Sequence, residues 1–264
     1  MKITANGILM HYSSAGEGEN LILIHGACDN LTMWDNQVPA FSSRYRVITY
    51  DVRGHGETES GVGMSPSPVF EDLCEFMQAL EVKRAYILGY SMGGLIAANL
   101  AATHPEMVKA LILVSSAAGF SSPPAQEDFR VQMRRLIENG NMADLARVLT
   151  DRCFREGFKL INPARYEYYL RVKMRTKLEN LKGMFQPQQT PFDLGRLQNI
   201  CCPTLLVAGK YDMIVPLQLI CQAQKAIPGA SLEVLQTGHA SMLEEAEQFN
   251  TLILNFLSQF PGDS

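Results

Sequence analysis

Apolar runs and helix-period stripes alternate along most of this chain. Leu21-Ile22-Leu23-Ile24 is unbroken by polar residues, as a strand buried on both faces requires. Further strand-like, mostly apolar runs occur at 46–50, 85–89, 108–114, 204–209 and 232–235. Between them lie stretches with helical spacing. Val69, Leu73, Phe76, Met77 and Leu80 fall on one face of a helix over 68–80. Further helices are predicted from about Met33 to Ser42, from the residue after Ser91 to about His104-Pro105, over 217–227, and as one amphipathic helix over 242–259. Residues 1–13 read as two short strands joined at Asn6-Gly7, a dipeptide suited to a two-residue hairpin turn. Residues 57–67 are rich in Gly, Ser and Pro and read as a loop. The alternation predicts an α/β fold with a mostly parallel sheet covered by helices on both faces.

The rhythm breaks between about Gly119 and Gly195, where no strand-like run occurs. Helical patterns take over at 125–139, at 142–154, and in one long stretch from Pro163 to about Phe185. Asn162-Pro163 is a good helix start, with a polar cap and a proline at the first helical position. The expected organisation is a core of residues 1–119 and 196–264 interrupted by a helical cap, or lid, at 120–195. That insertion holds 13 Lys and Arg against 9 Asp and Glu. The charges read either as a solvated helical surface or as a positive wall that favours an anionic substrate.

Composition narrows the field. The chain has 264 residues, 47% of them hydrophobic and 19% charged, with net charge −4, as in ordinary globular proteins. The mild acidity argues against nucleic acid as a partner. No apolar run is long enough to span a membrane, and no basic, apolar leader opens the sequence, so a cytoplasmic protein is expected. The six cysteines form no C-x-x-C pair and have no histidine cluster beside them. Reduced thiols are expected, with no metal site.

The chemistry centres on Gly89-Tyr90-Ser91-Met92-Gly93, where a strand pattern turns abruptly into a helix pattern. G-x-S-x-G alone is weak; with a strand before it and a helix after it, it reads as a nucleophile elbow with Ser91 at the apex. A serine hydroxyl needs a base, and the base needs an acid to hold its tautomer. Of the five histidines, His11 lies in an early polar strand and reads as exposed, and His104 reads as structural at a helix end. His25 and His55 sit in loops after strands. His239 follows the last strand and Gly238, where a loop can swing over the sheet's C-terminal edge, and is the predicted base. Asp212 and Asp51 both follow strands, and only Asp212 lies between Ser91 and His239. It is the predicted acid, with Asp51 paired to its own glycine-rich loop and Arg53. An oxyanion hole would take one N–H from Met92 and one from the loop after Ile24, where Ala27 is the first candidate and Cys28 the alternative. Cys28, Trp34 and Tyr90 are candidates for the substrate pocket.

These blocks together resemble the α/β-hydrolase fold superfamily: His25-Gly26, Asp51-x-Arg53-Gly54-His55-Gly56, Gly89 to Gly94, Gly209-x-x-Asp212 and Gly238-His239. The resemblance implies an eight-stranded, mostly parallel sheet with a helical cap, and neither cofactor nor metal. It also implies a Ser91–Asp212–His239 triad with the Ala27 and Met92 amides as oxyanion hole. Leu31 to Ala40 and Tyr50 to Gly56 are most similar to 3-oxoadipate enol-lactonases and small carboxylesterases. In that family's enol-lactonases Leu more often precedes the nucleophile; here it is Tyr90. The fold's menaquinone-pathway synthase has an arginine where this chain has Leu95. Its carbon–carbon bond hydrolases have asparagine before the serine and tryptophan after the histidine, where this chain has Tyr90 and Ala240. The expected activity is hydrolysis of a small carboxylic ester or lactone. The alternatives are carbon–carbon bond cleavage on the same triad and a slow-turnover small-molecule receptor of this fold.

Overall fold

The computed structural model describes residues 1–61, 66–119, 123–181 and 194–261. Eight strands form one sheet: β1 (Lys2–Ala5), β2 (Ile8–Ala15), β3 (Glu19–Ile24), β4 (Tyr45–Tyr50), β5 (Ala85–Tyr90), β6 (Val108–Val114), β7 (Thr204–Gly209) and β8 (Ser231–Leu235). Their spatial order is β1-β2-β4-β3-β5-β6-β7-β8. β1 and β2 pair antiparallel, as do β2 and β4, and every later pair is parallel. The predicted hairpin turns at Asn6-Gly7, both with positive φ. Central strands β5 and β7 are buried at every position, so both of their faces must be apolar.

Helices cover the two faces. They are α1 (Val38–Phe41), α2 (Pro66–Ala79), α3 (Met92–Thr103), α4 (Pro123–Glu138), α5 (Met142–Cys153), α6 (Phe158–Ile161), α7 (Pro163–Met174), α8 (Leu178–Leu181), α9 (Leu217–Ala226), α10 (Ser241–Glu244) and α11 (Ala246–Leu257). One large apolar cluster joins α2, α3 and α9 to the sheet, and a second joins α1, α7 and α11 to its other face. Helices α4 to α8 make up the described part of the insertion between β6 and β7. Asn162 caps α7 as its sequence suggests, its side chain accepting the Arg165 N–H at 3.1 Å.

Three predicted helices are broken. The stretch 33–42 divides into a 3-10 turn at Leu31–Trp34 and the short α1. Pro39, in the first turn of α1, has no N–H to extend a helix from the preceding turn, and its ring would strike the carbonyl four residues back. The long helix expected to Phe185 ends at Met174, where the Thr176 hydroxyl leaves the helical path to bond Cys28 O. Residues 182–185 of that expectation lie outside the described residues, as do 62–65 of the expected loop. The helix expected over 242–259 is interrupted at Glu245, whose backbone (φ −129°) leaves the helical region. Glu244, just before the break, has turned inward to bond backbone N–H groups of Gly238 and Arg155.

Candidate functional site

The elbow forms because its glycines admit close backbone approach. A Cβ on Gly89 would collide with Gly93 O, and one on Gly93 would collide with Ile24 O and His25 O. Ser91 is forced to φ +52°, a region that side chains other than glycine rarely occupy, and its own N–H is held by Val114 O at 2.9 Å. α3 starts at the next residue, so its unpaired amides and dipole point at the serine.

His239 and Asp212 meet Ser91 as the sequence suggests. His239 Nε2 lies 2.9 Å from Ser91 Oγ, and His239 Nδ1 lies 2.7 Å from Asp212 Oδ2. The carboxylate only accepts, which puts the ring proton on Nδ1 and leaves Nε2 to accept from the serine hydroxyl. The other Asp212 oxygen accepts the Ile214 and Val215 N–H groups, each at 2.8 Å. Both oxygens are therefore committed, and the acid cannot rotate away from the histidine.

Glu244, which the sequence reading did not single out, holds the loop that carries His239. Its side chain is fully buried, and its Oε1 accepts the Gly238 N–H at 2.7 Å and the Arg155 N–H at 2.9 Å. Burial raises its pKa, and these two donors and the Arg155 guanidinium oppose the rise. The available signal was a carboxylate set among Met242, Leu243 and Ala246 at the start of an amphipathic stretch. Ala240 N–H donates to Cys153 O at 2.9 Å, so the histidine loop is fixed on both sides.

The loop after β3 is shaped by two buried histidines. His25 Nδ1 donates to Gly26 O and its Nε2 accepts the Val52 N–H. His55 Nδ1 donates to Arg53 O and its Nε2 accepts the Cys28 N–H at 3.2 Å. Both rings act as neutral Nδ1–H tautomers. Burial lowers the pKa of each, and for His55, with His25 5.0 Å away, it is pushed down to about 3. Cys28, at φ +62°, has thus committed its amide. The Ala27 N–H has no partner among the described residues. Of the two amides weighed from sequence, Ala27 is the open one.

Cys28, Trp34 and Tyr90 are all fully or almost fully buried. Cys28 packs against Met133, Ile137, Leu145, Leu149 and Leu181 of the insertion. Trp34 belongs to the second large cluster, and its Nε1 has no hydrogen-bond partner among the described residues. Tyr90 leans on Gly26, where a Cβ would come within 2.8 Å of its ring, and stands 5.0 Å from the His239 ring. Burial drives the thiols of Cys28 and Cys153 up to about 12 and about 11.

Two smaller expectations change. Asp51 does bind its own glycine-rich loop, accepting the Glu57 N–H at 2.9 Å, but Arg53 pairs with Asp72 instead, at 2.5 Å. His11, read as exposed, is partly buried and lies 2.8 Å from Asp51. Among the described residues no group of three or more His, Cys, Asp or Glu is arranged to hold a metal ion, and no helix is long and apolar enough to cross a membrane.

A family model described as alpha/beta hydrolase fold matches residues 19–246. The solved enol-lactonase of Burkholderia xenovorans LB400 superposes with a TM-score of 0.91 at 27% identity, covering 98% of this chain and all of that one. A thermophilic esterase from Thermogutta terrifontis gives a TM-score of 0.87 at 26% identity, covering 98% of each chain. The 2-hydroxy-6-oxononadienedioate/2-hydroxy-6-oxononatrienedioate hydrolase of Burkholderia vietnamiensis is 30% identical over 94% of this chain and 90% of its own length.

Proposed function

This chain belongs to the α/β-hydrolase fold family, and we propose that it is a serine hydrolase that cleaves a small carboxylic ester or lactone through an acyl-enzyme on Ser91. The observation that carries the reading is the continuous Ser91–His239–Asp212 hydrogen-bond chain at 2.9 and 2.7 Å.

The reaction follows from that chain. Ser91 Oγ attacks the acyl carbon while His239 Nε2 takes its proton, and Asp212 stabilises the imidazolium. The carbonyl oxygen becomes an oxyanion facing the Ala27 and Met92 N–H groups. On collapse, His239 returns the proton to the leaving alkoxide, which departs as an alcohol, or stays tethered if the substrate is a lactone. A water deprotonated by His239 then attacks the acyl-enzyme, and the acid is released with Ser91 regenerated. The insertion at 120–195 acts as the cap that selects the acyl and alcohol groups. Similarity to the enol-lactonase and the esterase supports this chemistry. Similarity to the 2-hydroxy-6-oxononadienedioate hydrolase supports a second reading, carbon–carbon bond hydrolysis on the same triad.

Short-chain nitrophenyl esters and simple lactones, set beside a vinylogous 1,5-diketone acid, test the two readings. Ester or lactone turnover that falls about 10⁴-fold or more in Ser91→Ala is the expected result. Turnover of the diketone acid alone establishes the second reading. If a fluorophosphonate does not label Ser91, neither stands.

A further inference from the structure

Three consecutive residues of the loop after β3 are bonded to the end of α7. Thr176 Oγ1 donates to Cys28 O at 3.1 Å. Lys173 Nζ and Tyr169 OH donate to the two oxygens of Asp29, at 2.8 and 3.0 Å. Asn30 Nδ2 donates to Val172 O at 3.0 Å. Tyr169 and Lys173 are four residues apart and so share one face of α7. One residue back on the same helix, Tyr168 OH reaches Thr32 O and Asp35.

The ion pair is dry, with the Lys173 and Asp29 side chains only 2% and 1% exposed. Burial alone would lower the Lys173 pKa; the adjoining Asp29 carboxylate outweighs it, and the net direction is up. Such a pair brings little net stability once desolvation is counted, so its value is in what it positions. What it positions is the peptide on either side of Cys28. The Cys28 N–H is held by His55 and its C=O by Thr176, and the residue stays at φ +62°. The preceding residue is Ala27, which carries the open amide.

We propose that Lys173 and Asp29 are positioning residues for the oxyanion hole: docking of α7 holds Ala27–Asn30 in the strained shape that aims the Ala27 N–H at the reacting oxygen. α7 is then a strut of the catalytic scaffold, and a cap that opened by swinging α7 away would dismantle the hole. The kinetic part of this proposal rests on the serine-hydrolase reading; the structural part does not.

The test compares the wild-type chain with Lys173→Met, Lys173→Arg and the charge-free pair Asp29→Asn/Lys173→Met. The readouts are amide hydrogen exchange over 26–31 and steady-state hydrolysis of nitrophenyl acetate per fluorophosphonate-titrated site. In Lys173→Met, exchange over 26–31 is expected to rise about tenfold or more while β5 and α3 keep their protection. kcat should fall about tenfold or more with KM within about threefold, since a misaimed donor weakens the transition state more than substrate binding. Lys173→Arg should recover most of both. If Lys173→Met does not fold, the charge-free pair, which leaves no carboxylate stranded, is held to the same expectations. Unchanged exchange over 26–31 overturns the proposal, as does unchanged kcat per site in a variant with lowered thermal stability. Faster exchange in a protein whose wild type hydrolyses none of the esters or lactones upholds the strut and removes the hydrolase reading instead.

Discussion

At the scale of single residues, the shape of the candidate site depends on side chains buried behind it. His55 holds the Cys28 amide only while its ring is neutral, and its burial keeps it so down to about pH 3. An unfolded chain takes up that proton near pH 6.5. Between those values the unfolded state binds more protons than the folded one, so stability is full above about pH 7 and is lost progressively as the pH falls toward 3. The loss from His55 is on the order of 4 kcal/mol over the whole window, and His25, shifted the same way, adds to it. Urea unfolding at pH 7.5, 5.5 and 4.5 should show this decline, and His55→Gln should flatten it. A His55→Gln protein as acid-sensitive as the wild type would place the decline elsewhere.

At the scale of elements, the chain declares its punctuation and hides its breaks. The strands, the elbow, the order Ser91, Asp212, His239 and the Asn162-Pro163 start were legible because each depends on local pattern or on glycine and proline geometry. Pro39 was a local signal too, and it divides a helix that apolar spacing alone had made continuous. The breaks at Arg175–Lys177 and Glu245 were not legible. Their causes are bonds to remote backbone, from Thr176 to Cys28 and from Glu244 to Arg155, and no window of neighbouring residues contains them. The pairing of Arg53 with Asp72 was missed for the same reason. Where β5 crosses into α3 the packing leaves no slack. Gly93→Ala puts a methyl group against Ile24 O and His25 O and should cost about 1–3 kcal/mol by chemical denaturation. It should also lower kcat, because the displaced strand end carries the loop proposed to hold the oxyanion. A variant with wild-type stability and turnover would mean that the backbone there yields easily.

At the scale of the whole molecule, the distribution of charge bears on the two sequence readings of the insertion. Arg134 pairs with Glu127, Arg147 with Asp144, and Arg155 with Glu244 and Glu245. Arg152 stacks on Phe129 and Lys159 on Tyr166. Arg135, Arg171, Arg175 and Lys177 are exposed. Lys173 is buried against the loop after β3, and Asp29 neutralises it. Among the described residues the positive charges are thus largely exposed or paired, which favours a solvated surface over a wall for anions. Neutral and carboxylate-bearing esters of equal size should therefore show kcat/KM within about threefold of each other at low salt. A strong preference for the carboxylate would restore the positive wall.

The burial of Cys28 and Cys153 has a consequence for reagent chemistry. Alkylating agents react with thiolates, and thiols raised to about 12 and about 11 supply almost none at neutral pH. Cys201, by contrast, is exposed. Iodoacetamide should begin at Cys201 and leave turnover intact, so a dye on that sulfur and a phosphonate on Ser91 can be installed independently in one molecule.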